Sequence, residues 1–260
     1  GWHFDGTGDA AEVTADTVVR IAEDHELHAH WTANHYSITF DPNNGDYLGG
    51  ENETVQVSFT YDDTYAAMPT PVRKGYLFQG WFDTFKETGG TEYKPTDTVK
   101  ITNDALTLYA RWSVNTYQVT LDTNGGTLSG EGTKTSVVFG QVYPRLPTPV
   151  RTGYTFQGWF DRADDNDTDG EGNPIIGNQI HGNETKLDID HDHTLYARWS
   201  ANTYQVSFQC DGGTVSQETK DVVFDAAYGT LPVPDKTGYH FVGWYLQDGS
   251  TAVTDETLVG

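Results

Sequence analysis

Apolar and polar residues alternate with a period of two along much of the chain. Tyr117-Gln118-Val119-Thr120-Leu121 sends Tyr, Val and Leu to one face and Gln and Thr to the other, which predicts a half-buried β-strand. Asn124-Gly125-Gly126 follows and supplies the positive φ values of a tight reversal. Ser136-Val137-Val138-Phe139 then reads as the returning strand. A short irregular or one-turn helical piece is expected near residues 143–146, and Pro147 and Pro149 stop any helix there. Tyr154-Thr155-Phe156 and residues 194–199 complete a small sheet.

This pattern recurs. Opening strands begin at Tyr36, Tyr117 and Tyr204, 81 and 87 residues apart. Gly75-Tyr76-Leu77-Phe78-Gln79-Gly80-Trp81 returns as Gly153-Tyr154-Thr155-Phe156-Gln157-Gly158-Trp159 and as Gly238-Tyr239-His240-Phe241-Val242-Gly243-Trp244, each behind a proline pair. Leu108-Tyr109-Ala110-Arg111-Trp112 returns as Leu195-Tyr196-Ala197-Arg198-Trp199, with Leu27-His28-Ala29-His30-Trp31 as a variant. A period above 80 residues is too long for a solenoid and gives each unit a core of its own. The expected organisation is 1–34 as the closing half of a repeat, 35–115 and 116–202 as complete repeats, and 203–260 as the opening part of another. An acidic insertion occupies 161–178 of the third segment. Tethers such as Ser200-Ala201-Asn202-Thr203 reach at most about 14 Å. They bring neighbouring units close to contact and predict a semi-rigid rod.

Composition narrows the function. A net charge of −23 argues against a nucleic-acid partner and against an anionic membrane surface. No apolar run is long enough to span a bilayer. The first residues do not read as a signal peptide, so export would need a signal outside this sequence. Aromatic residues make up 13% of the chain, far more than acidic disordered sequences carry. The single cysteine, Cys210, rules out an internal disulfide and reads as a small packed thiol.

The ordered blocks (the Tyr-led strand, Asn-Gly-Gly, the prolines, Gly-Tyr-x-Phe-x-Gly-Trp and Leu-Tyr-Ala-Arg-Trp) resemble the Listeria–Bacteroides repeat of internalin-type surface proteins. The resemblance covers nearly the whole chain. Its Asn-Gly-Gly departs to Asn43-Asn44-Gly45 and Asp211-Gly212-Gly213 in the flanking copies. It implies a β-rich α+β class, tandem small β-grasp (ubiquitin-like) domains, a location on the cell surface outside the membrane, and no catalytic residues. Expected partners are neighbouring repeats of the same protein, with a host or cell-surface protein or glycan as a rival reading. Head-to-tail completion of the two half-repeats into a surface filament is a second rival.

Candidate chemistry is sparse. Asp165, Asp167, Asp169 and Gly170 match the opening of a calcium loop, with Glu171 adding a backbone oxygen. The twelfth position is Ile176 rather than a bidentate Glu, so the loop is not an EF-hand. The alternative is a solvated acidic hairpin. His28/His30 and His191/His193 have the spacing of a zinc pair but no third ligand. Trp112 and Trp199 share a strand face with Leu and Ala and are expected to be core residues rather than sugar platforms. No Gly-x-Ser-x-Gly, His-Glu-x-x-His or phosphate-loop sequence is present.

Overall fold

The structure is a computed structural model that describes residues 1–4, 11–46, 53–130, 132–163, 171 and 175–260. It divides into two compact units, 1–114 and 115–260. In the first, a three-stranded antiparallel sheet of β1 (Trp2–His3), β2 (Glu12–Val13) and β3 (His28–Ala29) precedes a complete repeat. That repeat comprises β4 (His35–Asp41), β5 (Val55–Thr60), β6 (Tyr76–Phe82), β7 (Glu92–Tyr93) and β8 (Thr107–Val114). The second unit repeats the set as β9 (Thr116–Asp122), β10 (Lys134–Val138), β11 (Tyr154–Phe160), β12 (Gln179–Ile180) and β13 (His193–Ala201). It ends with two hairpins, β14 (Thr203–Ser207) with β15 (Thr219–Val223), and β16 (Trp244–Tyr245) with β17 (Ala252–Val253).

Both complete repeats have one five-stranded sheet in the order second, first, fifth, third, fourth. The first and fifth strands run parallel, pairing Phe40 with Leu108 and Leu121 with Leu195, and every other pair is antiparallel. The predicted alternation holds. Ile38 and Phe40 of β4 match Val119 and Leu121 of β9, and all four are buried. Leu108 and Ala110 match Leu195 and Ala197 in the same way. Tyr65, Trp81 and Val99 complete one core, and Tyr143, Trp159 and Leu187 the other.

The α+β, β-grasp expectation is overturned: no described residue is helical, and the class is all-β. The cause lies in the crossover between the second and third strands. A helix must fix several residues before its first hydrogen bond forms. Here Pro144, Pro147 and Pro149 each lack an N–H, and Gly140 sits at φ 74°. Of the two forms expected at 143–146, irregular or one helical turn, the irregular one is found, and Tyr143 reaches the core from it. The joint at 200–203 is likewise no free linker. Ser200 and Ala201 belong to β13 and pair with Thr155 and Tyr154, so only Asn202 separates β13 from β14.

The tryptophans rank differently from the sequence expectation. Trp81 and Trp159, from the Gly-Trp block, are 2% and 3% exposed, whereas Trp112 and Trp199 are half-buried at the margin of the cores. The five tryptophans of residues 36–260 each have their indole N–H satisfied by a backbone carbonyl. Trp81 donates to Pro69, Trp159 to Pro147 and Trp244 to Pro232, at 2.8–3.0 Å. Trp112 donates to Pro42 and Trp199 to Thr123. A β-bulge before each deep tryptophan turns it inward, the register shifting between Phe78 and Gly80 and between Phe156 and Gly158. Gly80 and Gly158 lie at φ 140° and 137°, a region that side chains rarely adopt. Replacing Trp159 with Ala should cost about 3–5 kcal/mol, as for a fully buried aromatic residue. Trp199→Ala should cost less because part of its ring is already in water. Urea denaturation of both variants, followed by near-ultraviolet dichroism, checks the order.

Candidate functional site

The strands that carry the fold leave one place where the two complete repeats differ strongly: the loop joining the third and fourth strands. It covers 83–91 in the first repeat and 161–178 in the second. Its neck is closed in the same way in both. Asp83 accepts the Thr91 N–H at 2.8 Å and donates its own N–H to the Thr91 carbonyl. Asp161 accepts the Asn178 N–H at 2.7 Å and the Asn178 side-chain amide at 2.9 Å, and its N–H reaches the Asn178 carbonyl. The arginine of Leu-Tyr-Ala-Arg-Trp clasps the loop from beneath. Arg111 lies 3.4 Å from the Phe82 ring centroid and donates to the Gly89 carbonyl at 2.6 Å. Arg198 lies 4.2 Å from the Phe160 centroid and donates to the Arg162 carbonyl. A planar guanidinium suits this task because it stacks and donates at once. Sequence reasoning missed this role, although the Arg shared by the Leu-Tyr-Ala-Arg-Trp blocks of both complete repeats was the available signal.

Of the expected calcium ligands, Asp165, Asp167 and Asp169 lie outside the described residues, and Glu171 is at an exposed turn. Among the described residues no three His, Cys, Asp or Glu side chains gather as a metal site. The histidine pairs serve other ends. His28 faces Glu26 at 3.9 Å, and the His30 ring meets the His3 ring edge-on at 4.6 Å. Nδ1 of His193 faces the His191 carbonyl at 3.0 Å, and Nε2 faces the Tyr143 hydroxyl at 2.8 Å. In the neutral ring Nδ1 donates to that carbonyl and Nε2 accepts from the phenol. Cys210 is a half-buried free thiol beside the Phe208 carbonyl.

The turn after the first strand ties into the fifth. Asn124, at φ 46°, donates its side-chain amide to the Ala197 carbonyl, and Asn43, at φ 48°, donates to that of Ala110. Asp122 and Asp41 accept the N–H of the same asparagines at 2.9 and 2.8 Å. These polar groups hold the turn against the sheet.

Tandem five-stranded all-β repeats, each with its own core built on matching positions, define the class. The chain belongs to the Listeria-Bacteroides repeat domain family, whose profile matches residues 36–111, 117–198 and 204–260. It is 31% identical over 266 residues to a "Putative Gly-rich membrane protein" of Evansella cellulosilytica, covering 98% of this chain and 28% of that protein. It is 27% identical over 233 residues to a "Putative membrane protein" of the same organism, covering 88% of this chain and 30% of that one. Internalin H of Listeria monocytogenes is 36% identical over 92 residues, 35% of this chain and 15% of that protein. The chain thus spans less than a third of the length of these relatives. No solved structure matches it. The family is one of repeat domains in surface proteins and not an enzyme family.

Two measurements follow from these contacts. Burial, with the Asp161 charge adding to it, pushes the Tyr143 phenol from 10.0 up to about 12. The folded state favours the protonated form. Its stabilisation is complete below the ordinary value and is lost as pH rises from 10 towards 12, an amount of about 2–3 kcal/mol. Tyr143→Phe should flatten this alkaline limb of the denaturation profile. For the acidic insertion, calorimetry with calcium tests the sequence expectation: heat lost in Asp167→Ala supports it, and no heat at millimolar calcium removes it.

Proposed function

We propose that this chain is a non-enzymatic spacer segment of a bacterial protein exposed at the cell surface, its repeats holding other parts of the molecule away from the envelope. The observation that carries the reading is the matching of two complete cores position by position, from Ile38/Val119 to Ala110/Ala197, with loop length varying outside them. Such a design keeps the fold constant while units are added. The relatives' names, which include membrane proteins and an internalin, support the location. The net charge of −23 suits a solvated exterior rather than contact with anionic lipid.

In-frame deletion of residues 117–203 from the natural full-length protein tests this. A spacer predicts that export and the activity of the remaining parts persist, while antibodies reach a distal epitope less readily. Complete loss of binding to a host protein or glycan after the deletion would instead favour the ligand-binding reading.

A further inference from the structure

The second strands β5, β10 and β15 each lie at the edge of a sheet, and they guard that edge differently. Backbone bonds fix which groups point outward. The Tyr61 N–H donates to the Asn34 carbonyl, and the Thr39 N–H donates to the Leu106 carbonyl, away from β5. With the register of β4 and β5, Val55, Val57 and Phe59 therefore bond to β4, while the N–H and C=O groups of Gln56 and Ser58 point away from the sheet. Both residues are exposed, and among the described residues no strand lies beyond them. The side chains beside this edge turn back towards β4. Gln56 Nε2 donates to Thr39 Oγ1 at 3.3 Å, and Thr60 Oγ1 lies 3.1 Å from His35 Nδ1.

The bonds from Phe139 to Asn115 and from Phe224 to Asn202 fix the other two edges in the same way. They turn Lys134 and Ser136 of β10, and Thr219 and Asp221 of β15, outward. A charge on an edge strand keeps it from pairing with other chains. β5, with the sequence Val55-Gln56-Val57-Ser58-Phe59-Thr60, carries none. Its charges stand just outside it, in Glu53 before the strand and in Asp62 and Asp63 after it, all exposed. These flanks disfavour a second copy of the chain. Antiparallel pairing of two β5 strands centred on Ser58 brings Glu53 of each towards Asp62 and Asp63 of the other, and like charges opposed across a ladder destabilise it. The charge of −23 on each copy adds to the repulsion. The same carboxylates attract a strand whose ends are basic.

We propose that the outer edge of β5 is a strand-addition site for a segment of another protein that is extended, uncharged in its middle and carries Lys or Arg at both ends. Main-chain bonds to Gln56 and Ser58 give the affinity, and the flanking carboxylates choose the partner. β10 and β15 instead hold a charge where the uncharged middle of that segment would lie. The inference goes beyond the spacer role and does not depend on it.

Hydrogen exchange on the 260-residue chain tests it. The probe is the synthetic peptide Lys-Lys-Thr-Val-Thr-Val-Thr-Lys-Lys, and its counterpart with Glu in place of Lys is the control. At a peptide concentration of about ten times its Kd, the Gln56 and Ser58 amides should exchange roughly tenfold more slowly, while Ser136 and Asp221 keep their free rates. The Glu peptide should leave all of these unchanged. Ser58→Pro removes an outward N–H without taking a bond from β4, so it should abolish the effect at Gln56 while the melting temperature holds. Ser58→Lys, which copies the charge at Lys134, should weaken the effect in the same way. The proposal is overturned by no slowing at millimolar Lys peptide, by equal slowing with the Glu peptide or at Ser136, or by an unaltered response in both variants. Slowing at Gln56 that needs no peptide and grows with protein concentration assigns the edge to a second copy and overturns it too.

Discussion

A hydrogen bond from an indole to a proline carbonyl ties the Gly-Trp segment to the proline stretch before it in all three copies. Trp81, Trp159 and Trp244 each donate to the proline twelve residues upstream, at 2.8–3.0 Å. The indole fills the space beneath the sheet, and its N–H finds one of the few acceptors available there. An unpaired N–H in that position would carry a desolvation cost of about 1–3 kcal/mol. Because the acceptor sits in the crossover, the same bond lays that extended segment across the core. Tyr143 follows it inward, and the proline carbonyls, which have no N–H companion to satisfy, suit a route without a neighbouring strand.

The ring contact at the heart of the core recurs in residues 204–260. Phe208 and Trp244 meet at 4.9 Å, matching Phe40 and Trp81 at 4.8 Å. In the complete repeat the fifth strand lies between the two strands that carry these rings, and its small Ala110 is buried in the same core. Here an open cavity of about 810 Å³, lined by Val206, Phe208, Trp244 and Val253 among others, lies between β14 and β16. Tyr239 and Val242 are about three-quarters exposed, at 74% and 76%, and Gly243 does not take up the bulge conformation of Gly158.

Much of the fold was legible because period-two alternation and turn chemistry are local. The strands around Val119, Val137, Tyr154 and Leu195 fall where the pattern put them, and Asn124 has the positive φ that its turn required. The errors came from contacts distant in sequence. The alternation also left two forms open at 143–146, and the irregular one found there carries Tyr143 into the core. The depth of Trp159 relative to Trp199 is set by a bulge that no periodicity reveals. The short fourth strands, β7 and β12, have too few residues to signal themselves. The candidate site was read from carboxylate spacing, while the neck at Asp161 and Asn178 that presents the insertion became visible only once two residues seventeen apart in sequence were seen to pair.

The parallel pairing of first and fifth strands has a mechanical consequence. Chain enters the 117–199 repeat through β9 and leaves through β13, and these two strands lie side by side and parallel. Tension applied at the repeat's two ends would drag them past each other in opposite directions. Their connecting hydrogen bonds would then be loaded together, in shear, rather than opened one at a time from an edge. A protein built from such units would resist traction along the chain better than peeling from an edge.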